Sequence, residues 1–235
     1  MSENREFEIV ADIQVPATPD RVWEAITTGT PAWMFPTDQW PAEFPVNERP
    51  SHLISRMDGP DGWFNQLEHV IEPLPDGRAS IHYVHSGIFA DNWDQQYDGA
   101  SKHTAFYLHT LGQYLEHFDG KPVVFTDIQG PATSATPEAF DQFKGALGIA
   151  GSAVGDKVDV MLDGVGQLRG DVDFVNENFV GIRTQDALLR FFGRNNFGAV
   201  VGMTVHDFSA PSDPAARSEE TAVAWSAFFA SVYGE

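Results

Sequence analysis

Asp12-Ile13-Gln14-Val15-Pro16-Ala17-Thr18-Pro19 is nearly repeated by Asp127-Ile128-Gln129-Gly130-Pro131-Ala132-Thr133, which runs on to Thr136-Pro137. The second copy begins close to the midpoint of the 235 residues, so the chain reads as two related halves, 1–120 and 121–235. The residues after each copy agree as well. Val22, Ala25 and Ile26 come after Thr18-Pro19-Asp20 at helical spacing, and Phe140, Phe143 and Leu147 come after Thr136-Pro137-Glu138. Each reads as a strand, a short link, and a helix capped by Thr with Pro at its first position. Amphipathic stretches from Ala105 to Phe118 and from Glu219 to Tyr233 close the two halves. Asp119-Gly120-Lys121-Pro122, a helix stop with Gly and Pro in the expected order, marks the boundary.

Within the first half, Phe7, Ile9, Ala11, Ile13 and Val15 alternate with polar partners, the period of a half-buried strand. Residues 30–50 are rich in proline and carry Trp33, Phe35, Trp40 and Phe44. They predict an irregular segment folded over something apolar. Strands are expected at His52 to Met57, Gly62 to Glu72 and Arg78 to Ile88, with Asp76-Gly77 as a hairpin turn, and a long helix from about Ala100 to Phe118. The second half repeats the order: a helix over 137–147, strands near 157–163, 166–175, 178–184 and 198–208, and the closing helix. Ala187 to Phe192 and Phe197 to Val205 fit helix or strand equally. Ala210 to Ser218 reads as a surface loop.

Charge and composition exclude several classes. Thirty-four acidic against 14 basic residues, a net charge of -20, oppose binding to a nucleic-acid backbone or an anionic membrane. With no cysteine there is neither a disulfide nor thiolate chemistry. Met1 to Glu6 lacks the basic and apolar regions of a signal peptide, and no apolar run approaches the ~20 residues of a membrane span. A soluble, cytoplasmic protein is expected. A homodimer stays open.

A strand, a Pro-started helix of the form Val22-Trp23-Glu24-Ala25-Ile26, a run of antiparallel strands and a long terminal helix resemble the helix-grip fold of the START, Bet v 1 and polyketide cyclase (SRPBCC) superfamily. Phe7-Glu8-Ile9 and Ile81-His82-Tyr83-Val84-His85-Ser86-Gly87, after an Asp-Gly turn, look like the branch named for the activator of heat-shock-protein ATPase. The resemblance covers residues 7 to about 120 well; the second half matches in element order only. It implies an α+β fold, an antiparallel sheet wrapped around the closing helix with an apolar cavity between them, duplicated in tandem. It does not imply one function.

On that arrangement the cavity is lined by the inward residues of the strands and one stripe of the helix. Alternation places Trp63, Asn65, Leu67, His69 and Ile71 on one face of their strand, and Ile81, Tyr83 and His85 on one face of theirs. His103, Phe106, Tyr107, Thr110, Leu111, Tyr114 and Phe118 share one helix stripe. The candidate ligand-binding residues are therefore Trp33, Trp63, His69, Tyr83, His85, Tyr107, Leu111 and Tyr114. The same residues could equally fill a solid core, and Trp33 and Phe35 fit a lid or plain core cover.

Eight histidines are scattered along the chain. His82 and His85 fall on opposite faces of a strand, and His103 and His109 do not share a helix face, so no metal site is expected. No nucleophile elbow is present. Gly164-Val165-Gly166 through Gly170 misses the dinucleotide spacing and precedes a strand. The acidic pairs Asp91 with Asp94 and Asp171 with Asp173 read as solvated surface, without calcium-loop spacing. No cofactor is expected. Three functions remain: binding of an apolar or aromatic small molecule without catalysis; a cyclase or aromatase-like enzyme using His85, His69 or Tyr83 in proton transfer; and a chaperone partner, by analogy with the branch's name.

Overall fold

The computed structural model describes residues 5–89 and 92–234. Met1 to Asn4 and Asp91, which entered the signal-peptide and acidic-pair readings, lie outside the described residues. The chain divides into two compact units, one ending at Asp119 and the other beginning at Gly120.

The first unit runs β1 (Arg5–Val15), α1 (Pro19–Thr27), β2 (Glu43–Glu48), β3 (His52–Asp58), β4 (Phe64–Pro73), β5 (Ala79–Phe89) and α2 (Trp93–His117). Its strands form one antiparallel sheet in the order β1-β5-β4-β3-β2. The alternation in β1 buries Phe7, Ile9 and Val15, and α2 packs against β1. Phe106, Leu108, Leu111 and Leu115 on α2 are all buried, so the sheet wraps the helix through its apolar stripe. The β4–β5 turn places Gly77 at φ +80, which a β-carbon would strain.

Two boundaries differ from expectation. Residues 43–48, expected to be irregular, form edge strand β2. Pro45 is tolerated there because the β2–β3 register shifts between Glu43 and Val46, and an edge strand at a bulge needs no donor from it. Helix α2 starts at Trp93, about two turns before the expected Ala100. Its polar first turns are anchored to the sheet. The Trp93 indole N–H donates to the Glu6 carbonyl at 3.1 Å and the Tyr97 hydroxyl to the Glu8 carbonyl at 3.3 Å.

The second unit repeats the order with one extra strand: β6 (Val124–Gln129), α3 (Ala139–Ala146), β7 (Lys157–Leu162), β8 (Gly166–Val175), β9 (Phe179–Arg183), β10 (Ala187–Phe192), β11 (Gly202–Asp207) and α4 (Pro214–Tyr233). Its sheet order is β6-β11-β10-β9-β8-β7. In both units the first strand pairs with the last and the remainder follow in reverse, which is the helix-grip topology in tandem. Ala187 to Phe192 is strand, as is the end of the second ambiguous stretch. Residues Pro214 to Ser218 are helix rather than loop, because Asp213 caps them by accepting from the Ala216 amide. Thr136-Pro137 precedes α3 rather than opening it, and Thr18 makes no side-chain cap bond. Aromatic rings fill the second core: Phe143 stacks on Phe229 at 4.7 Å and meets Phe191 at 5.4 Å.

Candidate functional site

In the first unit, β4 and β5 turn alternate side chains toward α2. Their register sets His69 opposite Tyr83 and Leu67 opposite His85, while β3 adds Leu53 beside His69 and Ser55 beside Leu67. The middle of α2 supplies Ala100, His103, Thr104 and Tyr107. Between these walls and the segment carrying Trp33, Phe35, Trp40 and Phe44 lies a cavity of about 400 Å³.

Of the candidate residues, Trp33, His69, Tyr83, His85 and Tyr107 line this cavity; Trp63, Leu111 and Tyr114 do not. Trp63 ends the 3-10 turn before β4 begins at Phe64, so strand alternation does not govern it. A β-carbon on Gly59 would stand 2.9 Å from Trp63 Cε3, so the indole lies over that backbone instead. Leu111 and Tyr114 are buried further along α2, beyond the cavity. The apolar stripe is longer than the space it borders.

Trp33 is built into the wall. It is buried, and its indole N–H donates to the Ala25 carbonyl at 2.9 Å. Phe35 lies between Trp40, at 5.4 Å, and Tyr107, at 5.9 Å, which ties the irregular segment to α2 through ring contacts.

The polar groups divide by their partners. His85 Nε2 donates to Asn65 Oδ1 at 2.7 Å, and burial lowers its pKa to about 4. The Tyr83 hydroxyl is hydrogen-bonded to Thr104, and burial pushes its pKa well above the ordinary phenol value. His103 Nδ1 donates to the Gly99 carbonyl at 2.7 Å. His69 differs: it is 4% exposed and neither ring nitrogen has a hydrogen-bond partner. Burial alone lowers its pKa to about 4, so the ring is uncharged at neutral pH. Of these groups Asn65 and His103 were assigned by sequence to the right faces but not to the site. Thr104, Trp40 and Phe44 were missed. Thr104 lies three residues before Tyr107, a spacing that puts both on one helix face and could have found it.

His82 points to the opposite face of β5 and pairs with Asp12 at 2.8 Å. Among the described residues no group of three or more His, Cys, Asp or Glu is placed to hold a metal ion. No helix of the described residues is long and apolar enough to cross a membrane.

No protein-family model matches the chain, and no curated protein matches it. Solved structures do. The di-domain ARO/CYC BexL from the BE-7585A biosynthetic pathway is 13% identical over 97% of each chain, with a TM-score of 0.39. DynU16, from the dynemicin biosynthetic locus, is 16% identical over 97% of this chain and 98% of its own, TM-score 0.34. The Aha1 dimer from Colwellia psychrerythraea is 14% identical over 48% of this chain and 99% of its own, TM-score 0.40.

Proposed function

We propose that the first unit binds an apolar or aromatic small molecule between its sheet and α2, without transforming it. One observation carries this reading: a cavity of about 400 Å³, walled mainly by aromatic and aliphatic side chains, has on its wall a buried histidine without a hydrogen-bond partner. A few polar groups set among apolar walls are the usual composition of a small-molecule site. Leaving a buried donor or acceptor unsatisfied costs about 1–3 kcal/mol, and a bound molecule that carries a hydrogen-bonding group would relieve it.

Catalysis by the cyclase-like route asks more. A general acid or base works best with a pKa near the working pH. Both His69 and His85 sit at about 4, so each is an uncharged hydrogen-bonding group at pH 7 and a weak base. Such groups orient a ligand in its ground state.

Titration with N-phenyl-1-naphthylamine, a neutral apolar fluorophore, tests the reading. Saturable, one-to-one enhancement of its emission is expected. If the wild-type protein takes up no dye at saturable stoichiometry, the binding reading is wrong.

A further inference from the structure

We propose that this cavity selects uncharged aromatic molecules bearing a hydroxyl group, over bare hydrocarbons and over ions of either sign, with His69 as the group that reads the hydroxyl. The inference rests on the binding reading above and specifies its ligand.

Four observations support it. First, among the described residues that line the cavity none is Asp, Glu, Lys or Arg. An ion placed there would lose its hydration with no opposite charge to replace it, a large penalty for either sign. Second, the roof and helix walls present the rings of Trp33, Phe35, Trp40 and Tyr107, which suit a flat aromatic body. Third, the two neighbouring imidazoles already spend a donor inside the protein. His85 Nε2 gives its proton to Asn65 and His103 Nδ1 gives its proton to Gly99, and the other nitrogen of the uncharged His85 ring can only accept. Fourth, His69 spends nothing: both its nitrogens are buried and have no hydrogen-bond partner. An uncharged imidazole offers one donor and one acceptor, and a hydroxyl is the small group that can answer either. A hydrocarbon of the same shape would fill the space and leave His69 unsatisfied.

The test displaces bound N-phenyl-1-naphthylamine at pH 7 with four molecules of one shape: naphthalene, 2-naphthol, 2-naphthoate and the 2-naphthylmethylammonium ion. The hydroxyl is expected to improve affinity over naphthalene by about 10-fold, the effect of one net hydrogen bond to a buried group. Both ions should bind more weakly than naphthalene. His69→Phe keeps a ring of similar size without nitrogens and should bring 2-naphthol to within about 2-fold of naphthalene, each affinity being referred to the dye's own dissociation constant measured in that variant. Equal affinity for naphthalene and 2-naphthol in the wild type overturns the proposal, as does an ion binding as tightly as 2-naphthol. A hydroxyl preference that survives in His69→Phe overturns the role of His69. The wild-type ranking stands as a test even if the variant does not fold. Failure of the dye to bind at all defeats the binding reading, whereas dye binding without the ranking defeats only this one.

Discussion

His69 and Tyr83 stand opposite one another on β4 and β5, their ring centroids 5.0 Å apart and their planes at 65°. Both are buried, yet only Tyr83 has a hydrogen-bond partner, Thr104 on α2. Burial disfavours the charged form of each, so both stay neutral at pH 7 and the floor of the cavity carries no charge.

That neutrality makes stability depend on pH. An unfolded histidine titrates near 6.5, whereas His69 and His85 in the fold titrate at about 4. Between those values the unfolded chain binds more protons than the folded one, so stability falls as pH drops through the window from about 6.5 to 4. Each histidine contributes up to ~1.4 kcal/mol per pH unit there. Thermal melts from pH 7 to pH 4.5 should show a falling midpoint for the first unit. In His69→Phe with His85→Gln the decline should be shallower; an unchanged slope would mean these two rings do not drive it.

Cavity wall and core can be separated by mutation. Leu67 lines the cavity and Leu111 does not. Leu67→Trp should occupy ligand space, weakening uptake of N-phenyl-1-naphthylamine at least ~10-fold with a stability change under ~1.5 kcal/mol. Leu111→Ala should instead cost ~2–5 kcal/mol by opening a void in packed core, read as a lower urea midpoint. The reverse pattern would place the cavity deeper along α2.

His85→Gln addresses catalysis directly. Gln can still reach Asn65 but cannot carry an imidazole proton. If a ligand is found that wild type transforms, and this variant binds it but loses ~100-fold or more in rate, within the range of general acid-base catalysis, the enzyme reading replaces the binding one. Unchanged binding with no turnover by either protein is the expected result.

Much of the fold was legible in the sequence wherever a short-range period carries it. Alternation in β1 and the apolar spacing of α1 need only local contrast between polar and apolar residues. What escaped depends on contacts distant in sequence. The first turns of α2, Trp93-Asp94-Gln95-Gln96-Tyr97, have no apolar period, and their order comes from two hydrogen bonds to β1 carbonyls. Pro45 hid β2 because a local rule against proline in strands is relaxed at an edge bulge. At the site, alternation placed Asn65, His69 and Tyr83 correctly on one face. It could not show where the cavity ends along α2, nor which histidine lacks a hydrogen-bond partner, since both depend on side chains arriving from other elements.

Asp173, read from sequence as surface, is instead buried and accepts two hydrogen bonds from Arg190 Nη1, at 2.7 and 2.9 Å. The β8–β9 register shifts between Val172 and Phe174, so Asp173 is the extra residue of a bulge, a feature no periodicity reports. Gly181 lies opposite Arg190 on β9, and a β-carbon there would collide with both Asp173 Oδ1 and Arg190 Nη1. The glycine is therefore what lets the pair close across the middle strand. Gly181→Ala should force the two charges apart and destabilise the second unit by several kcal/mol. Arg190→Met should cost a similar ~3–5 kcal/mol, because it leaves a buried carboxylate without its counter-ion. Replacing both, Arg190→Met with Asp173→Leu, should recover most of that loss, since apolar side chains often substitute for a buried pair without penalty. Hydrogen exchange at the β8–β10 amides reads all three: protection should fall in each single variant and return in the double. A double variant as unprotected as Arg190→Met would show that these charges do more than neutralise each other.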